Sequence, residues 1–200
     1  MEERRQMDEQ LRDLIEIMHF TENVSARIHR VSDEAQIYKA VKEEFAKSRR
    51  YNVTIFLLTD DGLRLRPVET SIRPGMVRVA EKVTGFKKES YTIDLNKSSI
   101  LGQVVREGRT VQVKVSSAIG ELFPQPLASL LARLMGYEKT PCIVTPLKRQ
   151  GNIIGALMMS STQLAEYLIP SARNLAQHIS AALELAQENA EHRRMEEALR

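Results

Sequence analysis

Two apolar runs, "PCIVTPL" (Pro141–Leu147) and "NIIGALMM" (Asn152–Met159), flank the polar tetrapeptide "KRQG". A hairpin with one wet face alternates polar and apolar residues. These strands are apolar on consecutive residues, so both faces must be covered. "NVTIFLLT" (Asn52–Thr59) has the same character, whereas "TVQVKV" (Thr110–Val115) alternates strictly and reads as a strand with one wet face. The chain must therefore build a sheet with a layer of other elements on each side.

The rest of the chain supplies those layers. Glu2 to about Arg30 contains no glycine or proline, and Met7, Leu11, Leu14, Met18, Thr21, Ser25 and Ile28 alternate spacings of four and three. That is a heptad seam, so the spacing predicts a helix that pairs with another helix. "VSDEAQ" reads as a break and restart, with Ser32 or Asp33 capping a second helix through Ile37, Ala40, Val41 and Phe45. "DDG" (Asp60–Gly62) turns the Asn52–Thr59 strand into "LRLRPVET". A short helix over Pro74–Thr84 follows, closed by Gly85, and then a possible strand at "SYTIDL". Ser98 or Ser99 caps a helix that Gly108 stops, and a further helix is expected from about Pro126 to Met135. From Gln163 onward the chain reads as helical, with a seam through Leu168, Ala172, Leu175, Ile179, Ala182 or Leu183, Ala186 and Ala190. Pro170 either marks that helix's start near Ile169 or kinks it. This order of elements gives an α+β fold around a central antiparallel sheet.

Hydrophobic residues make up 42% of the 200 positions, enough for a core without covalent staples. A formal net charge of +3 is too mild to indicate nucleic acid. The single cysteine, Cys142, rules out an intrachain disulfide and suits a cytoplasmic protein. No apolar run approaches the roughly 18 residues of a membrane span, so no membrane contact is expected of this segment.

Three segments carry a family likeness: "SSILGQVVREGRTVQV", "TPCIVTPLKRQGNIIGALMMSS" and "LIPSARNLAQHISAALELA". Together they resemble the GAF domain, with a glycine-containing helix before a strand, a Pro-Leu strand (Pro146-Leu147), and Gly151 to Gly155 leading into a small-apolar strand. The resemblance covers roughly 31–187. Residues 1–30 then read as an N-terminal signalling helix, and 188–200 as the start of a connector helix. It implies a GAF/PAS-like sheet with terminal helices on one face and short helices and loops on the other. A small-molecule pocket would lie beneath the short helices. The ligand-binding set it implies is Phe123, Leu127, Leu130, Leu131, Leu134, Cys142 and Val144, an apolar lining that favours an aromatic or hydrophobic ligand over a nucleotide, with Arg106 or Arg133 available to bind an anion. The ligand itself is not indicated, and no cofactor is named.

Reactive chemistry finds little support. Cys142 precedes Ile143 in an apolar strand, where a thiol is inert, rather than the histidine found in bilin-binding relatives. Asn96-Lys97 lacks the later acidic pair of cyclic-nucleotide binders: after three intervening residues, Phe123 is followed by Leu127-Ala128. One cysteine does not complete the cycle of the relatives that reduce free methionine sulfoxide. His19, His29, His178 and His192 fall on expected helices without metal-ligand spacing, although folding can bring distant residues together. No catalytic or metal-ligating residue is assigned. The expectation is a regulatory sensor rather than an enzyme. It would dimerise through both terminal helices and pass a signal to a downstream kinase or PAS-type module. The alternative is a ligand-free dimerisation and spacer module.

Overall fold

The computed structural model describes residues 2–199. Helices α1 (Glu2–Ile28) and α2 (Glu34–Ser48) come first, and Asp33 caps α2 by accepting a hydrogen bond from the Gln36 amide at 3.0 Å. The first hairpin is β1 (Asn52–Leu58) and β2 (Arg64–Thr70). Then follow α3 (Pro74–Thr84), β3 (Ile93–Asp94), α4 (Ser99–Glu107), β4 (Val111–Lys114), α5 (Val115–Leu122) and α6 (Leu127–Leu134). The second hairpin is β5 (Pro141–Arg149) and β6 (Asn152–Ser160), and α7 (Ile169–Ala198) closes the chain. The six strands form one sheet in the order β3-β2-β1-β6-β5-β4, antiparallel throughout.

Both faces of the sheet are covered, as the doubly apolar strands require. On one face Ile55, Ile143, Leu157 and Met159 pack against Ile17, Phe45, Leu175 and Ile179 of the terminal helices and α2. On the other, Phe56, Cys142, Val144 and Ala156 meet Leu101, Val104, Ile119 and Leu131 of the short helices. Consecutive residues of β5 thus serve two separate cores. Gly155 sits in the middle of β6, between Leu57 and Leu147. A Cβ there would collide with the Phe56 carbonyl oxygen, so only glycine lets the central strands close.

Helices α1 and α7 run side by side in the same direction. Near one end the Tyr167 hydroxyl donates to Asp13 at 2.5 Å, and twelve residues further along α1 the Ser25 hydroxyl lies 3.3 Å from His178 Nδ1. Arg50 reinforces the first contact by pairing with Asp13 at 2.8 Å and with Glu16.

Three details differ from the sequence reading, and a fourth decides between its alternatives. The α1 seam splits: Leu14, Ile17, Thr21, Val24 and Ile28 face inward, while Met7, Leu11 and Met18 stay exposed. Ile17 and Val24, rather than Met18 and Ser25, complete the inner stripe because α7 and α2 approach from that side. Val115 begins α5 instead of ending β4. This helix was not expected, since its opening "VSS" is a poor helix signal and its stability comes from burying Val115, Ala118 and Ile119. "SYTIDL" contributes only the two residues of β3. Pro170 stands in the first turn of α7 and begins the helix without kinking it.

Candidate functional site

A cavity of about 190 Å³ lies on the face opposite α1 and α7. Thr54, Phe56, Pro67 and Thr70 of the first hairpin form one wall, and Val77, Ala80 and Glu81 of α3 another. Phe86, Tyr91, Leu122 and Phe123 close it. Tyr91 stacks on Phe123 with ring centroids 5.3 Å apart and planes at 18°, and Phe86 sits 5.6 Å from Tyr91 and 6.3 Å from Phe123. The Tyr91 hydroxyl donates to the Leu122 carbonyl at 2.9 Å, and burial pushes its pKa up to about 12.

The polar groups of the lining are largely satisfied by one another. Thr54 and Thr70 share a hydrogen bond of 3.0 Å, and Glu81 accepts from the Lys88 amide at 3.0 Å. What remains is an aromatic, mostly apolar interior whose volume equals about six waters of liquid, the size of a single substituted ring. A larger hollow of about 700 Å³, lined by Arg109, Lys148, Arg173, Gln177 and Glu184 among others, carries several charged side chains and no aromatic residue. The smaller cavity is the better candidate, because convergent aromatic side chains are what a small-molecule site needs.

The end of α5 is clamped. Glu121 accepts hydrogen bonds from Ser98 Oγ at 2.7 Å, from the Ser99 and Ile100 amides at 3.1 and 2.9 Å, and from the Ser99 hydroxyl. A carboxylate thus sits on the positive end of α4. Burial disfavours its charge, but the bonds from Ser99, Ser98 and the two amides outweigh that and hold its pKa below the ordinary glutamate value.

Of the residues expected to bind a ligand, Phe123 lines this cavity. Leu131, Cys142 and Val144 are buried in the adjoining core, and Leu127 is half-buried. Leu130 and Leu134 are exposed, because α6 is amphipathic and turns Ala128, Leu131 and Ala132 inward instead. Arg106 is exposed and donates to the Leu95 carbonyl at 3.0 Å, away from the cavity lining. Burial raises the Cys142 thiol to about 12. Sequence reasoning missed Phe86 and Tyr91. The available signal was two aromatics in the otherwise charged loop "GFKKESY" (Gly85–Tyr91). Among the described residues, no group of three or more His, Cys, Asp or Glu side chains is placed to hold a metal ion. No described helix is long and apolar enough to cross a membrane.

Comparisons with known proteins agree with this architecture. No curated protein matches the chain. Among solved structures, the GAF domain from a phosphoenolpyruvate-protein phosphotransferase of Coxiella burnetii is similar, with a TM-score of 0.61 at 13% identity, over 87% of this chain and 96% of that one. Free methionine-R-sulfoxide reductase from Neisseria meningitidis, solved in complex with its substrate, has a TM-score of 0.59 at 16% identity, over 86% and 91%. The phycoerythrobilin-bound GAF domain from a cyanobacterial phytochrome has a TM-score of 0.56 at 14% identity, over 87% and 97%. At these identities the likeness speaks for the fold alone. Residues 36–186 match the family model described as GAF domain, and this chain belongs to that family.

Proposed function

We propose that this chain is a regulatory sensor domain, not an enzyme, that takes a small uncharged aromatic molecule between Phe56, Phe86, Tyr91 and Phe123. The observation that carries the reading is the aromatic cluster lining an apolar cavity in which Thr54, Thr70 and one Glu81 oxygen are already paired. Such a lining offers a flat ring much and a phosphate little. Residues 1–30 and 188–200 act as helical connectors on either side of a sensor spanning 31–187, and the parent protein works in the cytoplasm. Two copies pair through their terminal helices and pass occupancy to a following module, such as a histidine kinase or a PAS-type domain. Only a ligand that binds two helix arrangements unequally can drive that transfer.

Native mass spectrometry of freshly purified protein, together with thermal melts in phenol, p-cresol and indole, tests the reading. A saturable rise in Tm that Phe123→Ala abolishes is expected. No retained mass and no shift with any of the three would overturn it. The exposed stripe Met7, Leu11, Ile15 and Met18 favours a second reading, a ligand-free dimerisation and spacer module. That reading predicts dimers whose melting no small molecule alters.

A further inference from the structure

His29 and His178 are 149 positions apart in sequence, yet the parallel packing of α1 and α7 brings their rings together. The centroids lie 6.4 Å apart and the planes are nearly perpendicular, at 86°. We propose that these two imidazoles chelate one divalent transition-metal ion per chain and so tie α1 to α7. An ion about 2.0–2.1 Å from a ring nitrogen lies about 3.2 Å from that ring's centroid, so one shared ion sets two centroids about 5–6.4 Å apart. The observed spacing is that of a linear arrangement, and tetrahedral binding draws the two rings about 1 Å closer.

The surroundings suit an ion. Ser25, one turn before His29 on the same helix face, lies 3.3 Å from His178 Nδ1. This contact orients the ring and leaves Nε2 as the ligand atom, the role that outer-shell partners commonly play. Both rings open onto a groove of about 440 Å³ between the helices, lined also by Glu22 and Asn174. The groove leaves room for water to complete the coordination. His29 is exposed and His178 half-buried, so an ion reaches them from solvent. Neutral imidazole selects Cu²⁺, Ni²⁺ or Zn²⁺ over Mg²⁺ or Ca²⁺. With two protein ligands the site binds reversibly, and occupancy fastens the helix that enters the domain to the helix that leaves it.

Calorimetric titration of the full chain with Zn²⁺, and electron paramagnetic resonance with Cu²⁺, test the proposal. One ion per chain is expected, with nitrogen coupling from two imidazoles in the copper spectrum and a Tm raised by zinc. His29→Ala and His178→Ala should each weaken binding at least tenfold, while His19→Ala and His192→Ala leave it unchanged. His29 is exposed, so metal-free melting should be unaltered in His29→Ala, His19→Ala and His192→Ala, while His178→Ala gives up the Ser25 contact and should melt slightly lower without metal. Binding that survives in the His29→Ala/His178→Ala double variant, or no binding up to about 1 mM metal, would overturn the assignment.

Discussion

Glu121 at the end of α5 and Ile100 in the first turn of α4 are joined by a carboxylate–amide hydrogen bond of 2.9 Å, the centre of a clamp that also includes Ser98 and Ser99. Glu121→Ala leaves those amides without their partner and should destabilise the protein by about 1–3 kcal/mol in urea titrations. Because the folded-state pKa is lowered, the clamp's contribution is complete above the ordinary glutamate pKa and fades as pH falls through the lower folded value. Glu121→Gln should therefore flatten the acid limb of the stability–pH curve. An unchanged acid limb would count against the clamp.

Gly155→Ala drives a methyl group into the Phe56 carbonyl oxygen between the central strands, where Gly155 pairs with Leu57 of β1 and Leu147 of β5. Backbone has little freedom to retreat there, and a loss of about 3 kcal/mol is expected from the midpoint of denaturant unfolding. The same change at Gly151, where no atom lies within 4 Å of the added carbon, is governed by its positive φ of 78° alone and should cost less.

Cys142 is fully buried, with its thiol pushed up to about 12. Ellman's reagent at pH 8 should leave it unmodified in the native protein and label it once the chain is unfolded in guanidinium. Rapid labelling of the native state would show that the short-helix layer opens readily, a property incompatible with the packed core around β5.

Met7, Leu11, Ile15 and Met18 are 48–68% exposed along one side of α1, and on α7 Leu185 and Met195 are 50% and 55% exposed. If paired copies cover these residues, Leu11→Glu/Met18→Glu should convert dimers to monomers in light-scattering measurements. The inner stripe Ile17, Val24 and Ile28 is untouched by those changes, so circular dichroism should remain that of the folded domain. Wild-type protein that is monomeric at every concentration would remove the premise.

The parts of the fold that were legible in the sequence are those where local pattern and tertiary packing agree. Consecutive apolar residues at Cys142–Val144 announced two covered faces, and Asp33, Gly85 and Gly108 marked helix ends where the structure has them. The α1 stripe was only half legible, because Ile15, Ile17 and Met18 are equally apolar and only the position of α7 decides which of them turns inward. α5 was illegible for a related reason, since Val115, Ser116, Ser117 and Gly120 are weak helix formers and only burial decides the outcome. Of the residues expected to bind a ligand, Phe123 borders the aromatic cavity. Leu130 and Leu134 share the helical spacing of Leu131, and periodicity does not say which side of α6 meets the sheet. The His29–His178 meeting depends on the register between two helices at opposite ends of the chain, which no local pattern encodes.

Because α1 and α7 point the same way and overlap only along the second half of α1 and the first half of α7, the domain is built like a splice in a rod. A label near Glu3 and another near Glu197 would be held about 60 Å apart, counting about 1.5 Å per helical residue on either side of the Asp13–Tyr167 contact. Whatever precedes the chain and whatever follows it are thereby kept at opposite poles of the domain, and a twist between the two helices is the shortest mechanical path from one pole to the other.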